Sequence, residues 1–216
     1  MRYKLIIFDI DGTITTHISS WRYIHEKLGL WQKQAFNYQE QFLAGKISYR
    51  RFCELDAAHW KGMGVGKIRS IFKNVKYSKN AIRSISRLKK MGFKLAAIST
   101  GLQFMPERLR DEFDFDYTLS NRLITRRGRL TGGVKINLAH GAKDRILREI
   151  FRRFHVKPHE VISIGDSEGD IPLVKKTGYS IAFNSTCDEL SRIVDYNCKT
   201  RDFAEIYRNI LSVTYE

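Results

Sequence analysis

The sequence has few cysteines, no long apolar segment and a shortage of acidic residues, and each of these excludes a class of protein. Cys53, Cys187 and Cys198 are odd in number and lack metal-site spacing, which predicts free thiols in a reducing cytoplasm. No apolar run reaches the roughly 18 residues of a membrane span, and Leu5 to Phe8 is too short for the core of a signal peptide. We therefore expect a cytoplasmic protein without membrane segments.

Basic residues outnumber acidic residues by 38 to 23, which gives a formal net charge of +15 at pH 7. Such a charge attracts phosphorylated anions and, less specifically, nucleic acid. The lysines and arginines recur on the polar faces of expected helices, however, and no zinc-finger, basic-zipper or RNA-binding aromatic pattern occurs. The six histidines are scattered along the chain, and each is expected to be a surface or packing residue rather than a metal ligand. We therefore expect neither a zinc site nor nucleic-acid recognition.

Short apolar runs that alternate with helical spacing predict an α/β fold. The run from Leu5 to Phe8 is typical of a strand that is buried on both faces. Phe93 to Ser99 and Val161 to Gly165 are expected to form further buried strands, with helices between them. The prediction is a Rossmann-like parallel sheet sandwiched by helices, formed by residues 1–15 and 77–216.

Residues 16–76 show helical spacing and no convincing strand, which predicts a small helical-bundle cap domain inserted after the first strand. Trp21 and Ile24 fit one helical face, and Ser48 is expected to cap a later helix. The aromatic residues of this segment suggest an apolar or ring-bearing ligand, although aromatics at helical spacing more often form a core. These are Trp21, Trp31, Phe52, His59 and Trp60.

Local signals predict several boundaries within the α/β core. Ser78 is expected to cap a helix that Gly92 ends. Arg127-Gly128 is expected to form a hairpin turn between two short strands. A continuous helix is expected from Ala142 to Phe154.

Two aspartates, Asp9 and Asp11, follow the first expected strand and precede Gly12-Thr13. Residues i and i+2 of an extended backbone point to the same side, and the carboxyl ends of parallel strands bind ligands in open α/β sheets. Two close carboxylates need a cation or a proton to coexist, and Mg²⁺ prefers oxygen ligands and shares substrate phosphates. The alternative interpretation of Asp-x-Asp-Gly is an ordinary turn, which the three later motifs disfavour.

Three further segments place polar groups where later elements end or begin. Ser99-Thr100-Gly101 ends a strand with a hydroxyl and backbone N–H groups that can bind a phosphate oxygen. Lys143 begins a helix and can supply positive charge to a phosphoryl transition state. Asp166 and Asp170 lie on either side of a loop that contains Gly169. Together with the first two aspartates, they are expected to complete a Mg²⁺ coordination shell.

The ordered set of four motifs resembles the haloacid dehalogenase superfamily, in its phosphoserine phosphatase-like branch with a helical cap after the first strand. The resemblance runs nearly from end to end of the chain. It implies a Mg²⁺-dependent phosphatase that acts on a small phosphate monoester. In this mechanism Asp9 attacks phosphorus and forms an aspartyl-phosphate, and Asp11 acts first as an acid and then as a base.

The same resemblance implies which residues bind metal and phosphate. The metal ligands are Asp9, the Asp11 backbone carbonyl, Asp166 and Asp170, the last directly or through water. Thr100 and Gly169 replace a Gly and an Asn that are usual in this branch, and these changes are expected to tune specificity. Phosphate and substrate are expected to contact Ser99, Thr100, Gly101, Lys143 and Gly169.

At two positions that are expected to recognise the substrate, this sequence has residues other than those usual in the branch. In an ungapped alignment, Ile18 and Glu54 stand where phosphoserine phosphatases have a Glu for the substrate ammonium and an Arg for its carboxylate. Glu26, Arg50 and Arg51 are the nearest candidates to replace these two residues. We therefore expect some other ester to fit better than phosphoserine.

Two alternatives remain beside the phosphatase. A phosphomutase would use the same Asp9 intermediate and return the phosphoryl group to a bound sugar, and a catalytically silent basic binding protein would keep only the fold. The expected partner is a small phosphorylated substrate, and we expect a monomer or a homodimer.

Overall fold

A seven-stranded sheet forms the centre of the protein. The structure, a computed structural model, describes residues 1–215 without the side chain of Lys33. The strands are β1 (Leu5–Phe8), β2 (Lys94–Leu102), β3 (Tyr117–Arg126), β4 (Arg129–Lys135), β5 (Val161–Gly165), β6 (Tyr179–Phe183) and β7 (Tyr196–Cys198). They lie in the order β4-β3-β2-β1-β5-β6-β7, and every neighbouring pair is parallel except β3 with β4. The predicted α/β class is therefore confirmed.

Helices account for most of the remaining described chain. They are α1 (Ser20–Lys27), α2 (Phe36–Leu43), α3 (Tyr49–His59), α4 (Val65–Lys73), α5 (Ala81–Lys90), α6 (Phe104–Phe113), α7 (Leu147–Phe154), α8 (Ile171–Val174), α9 (Asp188–Ile193) and α10 (Phe203–Tyr215). Short 3-10 turns cover Lys143–Ile146, Pro158–Glu160 and Glu168–Asp170, and a π-helical turn covers Trp31–Ala35. No helix between residues 1 and 215 is long and apolar enough to cross a membrane.

The central strand β1 is buried on both faces, as its apolar sequence predicts. Because side chains alternate along a strand, Ile6 and Phe8 join a core cluster that also contains residues of α5, α6 and α10. Leu5 and Ile7 join a second cluster, which includes α7 on the opposite face. This two-sided packing fixes β1 between β2 and β5 and leaves its carboxyl end open for a site.

The helices α1 to α4 lie between β1 and α5 in the sequence and form one packed unit with the sheet. Trp21 stacks on Trp60 with ring centroids 5.9 Å apart, and buried His25 Nε2 lies 3.1 Å from Asp56 Oδ1. Backbone hydrogen bonds of 2.8 Å join Leu130 of β4 to the segment that precedes α4. The β3–β4 hairpin therefore supports the inserted helices from the side.

Most predicted boundaries agree with the structure, and three differ. Ser48 caps α3 by accepting from Arg51 N at 3.2 Å, as predicted. The predicted cap at Ser78 is wrong, because its hydroxyl donates to the Thr13 carbonyl at 2.7 Å instead and α5 begins only at Ala81. Two short strands are expected around the hairpin turn, but the first of them is part of one long strand, β3. The helix expected from residue 142 opens with a 3-10 turn, Lys143–Ile146.

The three cysteines are free thiols, as the sequence predicts. Cys53 and Cys198 are buried, and Cys187 is half-buried. Burial raises the pKa of Cys198, so its thiol stays protonated near neutral pH. These side chains act as small apolar packing groups.

Asp116 ties β2 to the segment that precedes β3, and its removal is expected to weaken the fold in a pH-dependent way. Its carboxylate accepts from Lys89 Nζ at 2.8 Å and Leu95 N at 2.9 Å. Burial alone raises the pKa of Asp116, but these hydrogen bonds outweigh burial and the net pKa is lowered. The stabilisation is therefore present above the unfolded-state pKa of about 3.9 and is lost as pH falls through the lower folded pKa.

We expect Asp116→Asn to lower the free energy of unfolding by about 1 kcal/mol at pH 7. Urea unfolding at pH 7 and pH 3 measures the difference, which shrinks at pH 3 because the stabilisation by the ionised carboxylate begins to be lost below the unfolded-state pKa. Asp111→Asn is the control, since the Asp111 side chain is 75% exposed. An equal loss at both pH values for Asp116→Asn would contradict this account.

Candidate active site

The predicted site residues meet at the carboxyl ends of the three central strands. Asp9 follows β1, Ser99 lies near the end of β2, and Asp166 follows β5. Because β2, β1 and β5 are neighbours in the sheet, the three side chains converge. A cavity of about 220 Å³ opens here, and the predicted residues that line it are Asp9, Asp11, Ser99, Thr100, Gly101, Lys143 and Gly169.

Three carboxylates form a tight cluster beside this cavity. Oxygen atoms of Asp9, Asp166 and Asp170 all lie within 4.8 Å of one another. Burial raises the pKa of Asp9 to about 7. Burial, and then the charges of Asp9 and Asp170, raise the pKa of Asp166 well above its usual range. Buried carboxylates this close need positive charge, and an all-oxygen donor set fits a hard divalent cation such as Mg²⁺.

Lys143 supplies one positive charge to the cluster. Its ammonium donates to Asp9 Oδ1, and to Asp170 Oδ1 at 2.5 Å, from a fully buried position. Burial alone lowers the pKa of Lys143, but the two carboxylates outweigh it and the net pKa is raised. The lysine is therefore charged, and it holds the Asp9 carboxylate at the floor of the cavity.

Asp170 organises the loop that carries Asp166. Its Oδ2 accepts from the backbone N–H groups of Asp166 and Ser167, each at 3.1 Å, and from Ser167 Oγ at 3.2 Å. Its Oδ1 accepts from Lys143. Both carboxylate oxygens of Asp170 thus have protein partners, whereas Asp166 has one, the Thr13 hydroxyl at 3.0 Å from Oδ1.

The turn after Asp11 is built around Gly12. Its φ of +87° is a left-handed backbone conformation that favours glycine. A Cβ at this position would also collide with the Asp166 carboxylate. The missing side chain of Gly12 therefore leaves room for the Asp166 carboxylate, and the hydroxyl of Thr13 donates a hydrogen bond to it.

Asp11 faces the same cavity as Asp9 but stays outside the carboxylate cluster. Its Oδ2 accepts from Ser20 N at 2.7 Å, and its Oδ1 lies 2.9 Å from His17 Nε2. Burial alone raises the pKa of Asp11, but His17 and the Ser20 hydrogen bonds outweigh it and the net pKa is lowered. The sequence interpretation missed both partners, treating His17 as a surface or packing residue.

The end of β2 joins the cavity to the inserted helices. Ser99 Oγ accepts from Gly101 N at 2.9 Å, and Ser20 Oγ accepts from Leu102 N at 2.9 Å. The Thr100 carbonyl accepts from three side chains, which are Trp21 Nε1 at 3.3 Å, Asn121 Nδ2 at 2.7 Å and the Tyr49 hydroxyl. The helices α1 and α3 are therefore hydrogen-bonded directly to the end of β2 that faces the cavity.

Gly101 is expected to tolerate no side chain. A Cβ there would collide with Ser20 Oγ and stand 2.5 Å from Asp11 Oδ2. We expect Gly101→Ala to lower kcat/KM for an aryl phosphate about 100-fold, because it displaces groups that face the reacting atoms. Gly66→Ala is the matched control, since a Cβ at Gly66 of α4 meets no atom within 4 Å. Equal activity of both variants would contradict the prediction.

The residues discussed for substrate discrimination separate in the structure. Ile18 lines the cavity, whereas Glu54 is exposed on α3 and is not among its lining residues. Glu26 pairs with Arg22 at 2.6 Å, and Arg50 lines a neighbouring cavity. Glu54 is therefore not placed to repel a substrate carboxylate at this cavity.

The aromatic residues of the insertion divide in the same way. Trp21 and Phe52 line the cavity, and Trp60 is buried behind Trp21. Trp31 lines a different depression, and His59 packs against other rings. Two of the five thus contact the candidate site, and the others serve packing or lie elsewhere.

A family model described as haloacid dehalogenase-like hydrolase matches residues 6–175. The chain belongs to this family. The match covers all of the motifs from Asp9 to Asp170, so the resemblance predicted from those motifs is confirmed. The carboxylate cluster and Lys143 accordingly form the candidate active site of a family hydrolase.

Proteins named phosphoserine phosphatase are similar over most of the chain. One from Methanocaldococcus jannaschii is 27% identical over 210 residues, covering 96% of this chain and 97% of the relative. Another from Archaeoglobus fulgidus is 29% identical over 183 residues, covering 84% of this chain. The match covers 53% of the latter, so this chain spans about half of that relative's length. These relatives support the predicted class of phosphoric monoester hydrolase.

Solved structures of phosphoserine phosphatases are also similar to this chain. A phosphoserine phosphatase structure described as a phospho-aspartyl intermediate analogue matches with a TM-score of 0.83 and 26% identity, covering 97% of this chain and 99% of that chain. A substrate-bound phosphoserine phosphatase complex matches with the same score, identity and coverage. The core and the inserted helices are therefore both similar to those of these enzymes.

Proposed function

We propose that this chain is a Mg²⁺-dependent phosphatase that hydrolyses a small phosphate monoester through an aspartyl-phosphate on Asp9. The observation that carries the proposal is the placement of Asp9, which is buried at the cavity floor and held by Lys143. Similarity to a phospho-aspartyl intermediate analogue of a phosphoserine phosphatase supports the same chemistry.

In the first half-reaction, a carboxylate oxygen of Asp9 attacks the phosphorus atom in line with the leaving oxygen. Lys143 carries positive charge beside the attacked group and stabilises the charge that develops on the phosphoryl oxygens. Ser99 and the backbone N–H groups near Gly101 bind those oxygens from the end of β2. Thr100 and Gly169, which line the same cavity, are assigned contacts with the substrate.

Asp11 is assigned the proton transfers. It protonates the leaving oxygen and then takes a proton from the water that hydrolyses the aspartyl-phosphate. In the structure His17 and Ser20 N hold its pKa low. The negative charge of a bound phosphate raises that pKa, which favours the protonated carboxyl that the first step requires.

The Mg²⁺ ligands assigned here are the carboxylates of Asp9 and Asp166 and the backbone carbonyl of Asp11. Asp170 acts through water or as a positioning residue, because both of its oxygens already accept hydrogen bonds. When bound, Mg²⁺ neutralises the clustered carboxylates and the phosphoryl oxygens.

Residues 16–76 are assigned as a cap domain on a core of residues 1–15 and 77–216. Two hydrogen bonds run side by side where the chain leaves and re-enters the core, from Thr16 N to the Lys76 carbonyl at 3.0 Å and from Ser78 N to the Ile14 carbonyl at 2.8 Å. The cap excludes water from the cavity and selects the leaving group.

Hydrolysis of p-nitrophenyl phosphate with and without Mg²⁺ tests the proposed function. We expect turnover that requires Mg²⁺ and disappears on chelation. Isomerised sugar phosphate formed after addition of a sugar bisphosphate would instead favour a phosphomutase. A folded protein with no turnover of any phosphate ester and salt-sensitive binding to nucleic acid would favour the binding protein.

A further inference from the structure

The inserted helices give the cavity an apolar lining. Ile18 and Leu43 are 68% and 65% exposed, although both are large apolar side chains. Both face the same cavity, so their exposure is concentrated at one place, which is typical of a binding surface. The apolar and aromatic lining consists of Ile18, Trp21, Phe42, Leu43, Tyr49 and Phe52.

The charged groups at this cavity already have partners within the protein. Asp11 contacts His17 and Ser20 N, and Lys143 donates to two carboxylates. Among the described residues that line the cavity there is no arginine and no glutamate. A charged leaving group would therefore enter without an ionic partner, and an unpaired buried charge is costly.

His140 completes the wall as a polar but uncharged group. Its ring packs against Phe42 and Tyr49, with centroids 5.5 Å and 6.3 Å away. Burial of the ring has the largest influence on the pKa of His140 and lowers it. The ring also lies over the bare backbone of Gly169, where a Cβ would stand 3.1 Å from His140 Cε1. The glycine at 169 thus makes room for the histidine.

We infer that the substrate of this site is a phosphate monoester whose leaving group is uncharged and largely apolar or aromatic. The inference rests on the proposed function and specifies its substrate class. Gln39 and His140 offer hydrogen bonds to one polar atom of such a group. The volume of about 220 Å³ is below the roughly 300–1,000 Å³ typical of sites for drug-sized ligands, so the leaving group is a single ring or a short chain.

A panel of esters tests this inference on the wild-type protein with Mg²⁺. Benzyl phosphate carries an uncharged ring, phosphoethanolamine carries an ammonium group, and O-phosphoserine carries both an ammonium and a carboxylate. We expect kcat/KM for benzyl phosphate to exceed that for O-phosphoserine at least about tenfold. An O-phosphoserine value equal to or above that of benzyl phosphate would overturn the substrate class while leaving the phosphatase intact. Absence of hydrolysis of every ester would overturn both proposals.

A charge placed at the mouth of the cavity gives a second test. Ile18 is mostly exposed, so Ile18→Glu is expected to fold normally. It should reduce the ratio of kcat/KM for benzyl phosphate over that for phosphoethanolamine about tenfold, because the new carboxylate pairs with ammonium and disfavours the ring. Ile82→Glu is the matched control, since Ile82 is 47% exposed on α5 and outside the cavity lining. An equal ratio in both variants would overturn the inference.

Discussion

Replacing Asp9 with Asn is expected to abolish turnover of every phosphate ester while leaving the chain folded. The amide nitrogen and oxygen of Asn are poor nucleophiles, so the first half-reaction has no attacking group. Loss of a group that forms the covalent intermediate typically lowers kcat by about 10⁴-fold or more. The fold is expected to persist because Asn has nearly the same shape and removes a buried carboxylate whose charged form is costly, as its raised pKa indicates.

Steady-state kinetics with p-nitrophenyl phosphate and thermal unfolding of the same samples test this prediction. Asp111→Asn makes the same chemical change at an exposed position of α6 and should retain wild-type turnover. An Asp9→Asn variant with near-normal kcat would mean that another group attacks phosphorus. A variant that fails to fold would mean that the fold itself requires Asp9, contrary to this prediction.

The second large effect is expected for Lys143→Met, which should lower both stability and turnover. Without the ammonium, Asp9 and Asp170 lose their shared partner in a fully buried position. Breaking a buried ion pair by removal of one partner typically costs about 3–5 kcal/mol of unfolding free energy. Removal of a positive charge at the developing phosphoryl charge typically costs about 100-fold or more in kcat.

Lys89→Met separates the two consequences. Lys89 also contacts two aspartates, Asp114 and Asp116, but its side chain is 25% exposed and lies away from the cavity. We expect this variant to lose about 1 kcal/mol of stability and to keep wild-type activity. Urea unfolding and kinetics of both variants provide the comparison. A Lys143→Met protein as stable and active as Lys89→Met would contradict the assigned role.

The position of the motifs that form the candidate site could be predicted because it depends on a simple topological rule. Asp9, Ser99 and Asp166 each follow or end an apolar strand, and parallel strands in one sheet bring such ends together. The apolar composition of β1 and β5 was enough to identify both strands, since each is buried throughout. Local sequence therefore carried most of the information on the clustered carboxylates.

The partners of Asp11 could not be predicted in this way, because they come from the packing of the inserted helices. Ser20 and His17 reach Asp11 only when α1 lies against the end of β2. Ser78 shows the same limit. Its sequence context suggests a helix cap, but a hydrogen bond to Thr13, 65 residues away in sequence, takes its hydroxyl instead.

Glu54, unlike Ile18, does not line the cavity, and the reason is geometric. Successive residues of a helix point in directions about 100° apart, so an ungapped alignment that is wrong by one or two residues selects another face. Glu54 lies on an exposed face of α3, whereas Tyr49 and Phe52 of the same helix line the cavity. The cavity-facing surface of the inserted helices therefore had to be taken from the structure.

The stereochemical course at phosphorus tests the central claim most directly. A phosphorothioate ester made chiral at phosphorus with two oxygen isotopes is hydrolysed by the wild-type protein in water that carries the third stable isotope, and the configuration of the inorganic thiophosphate product is determined. Attack by Asp9 followed by attack of water makes two in-line displacements, each with inversion, so the account predicts overall retention. Overall inversion would show a single displacement by water and would contradict an aspartyl-phosphate on Asp9.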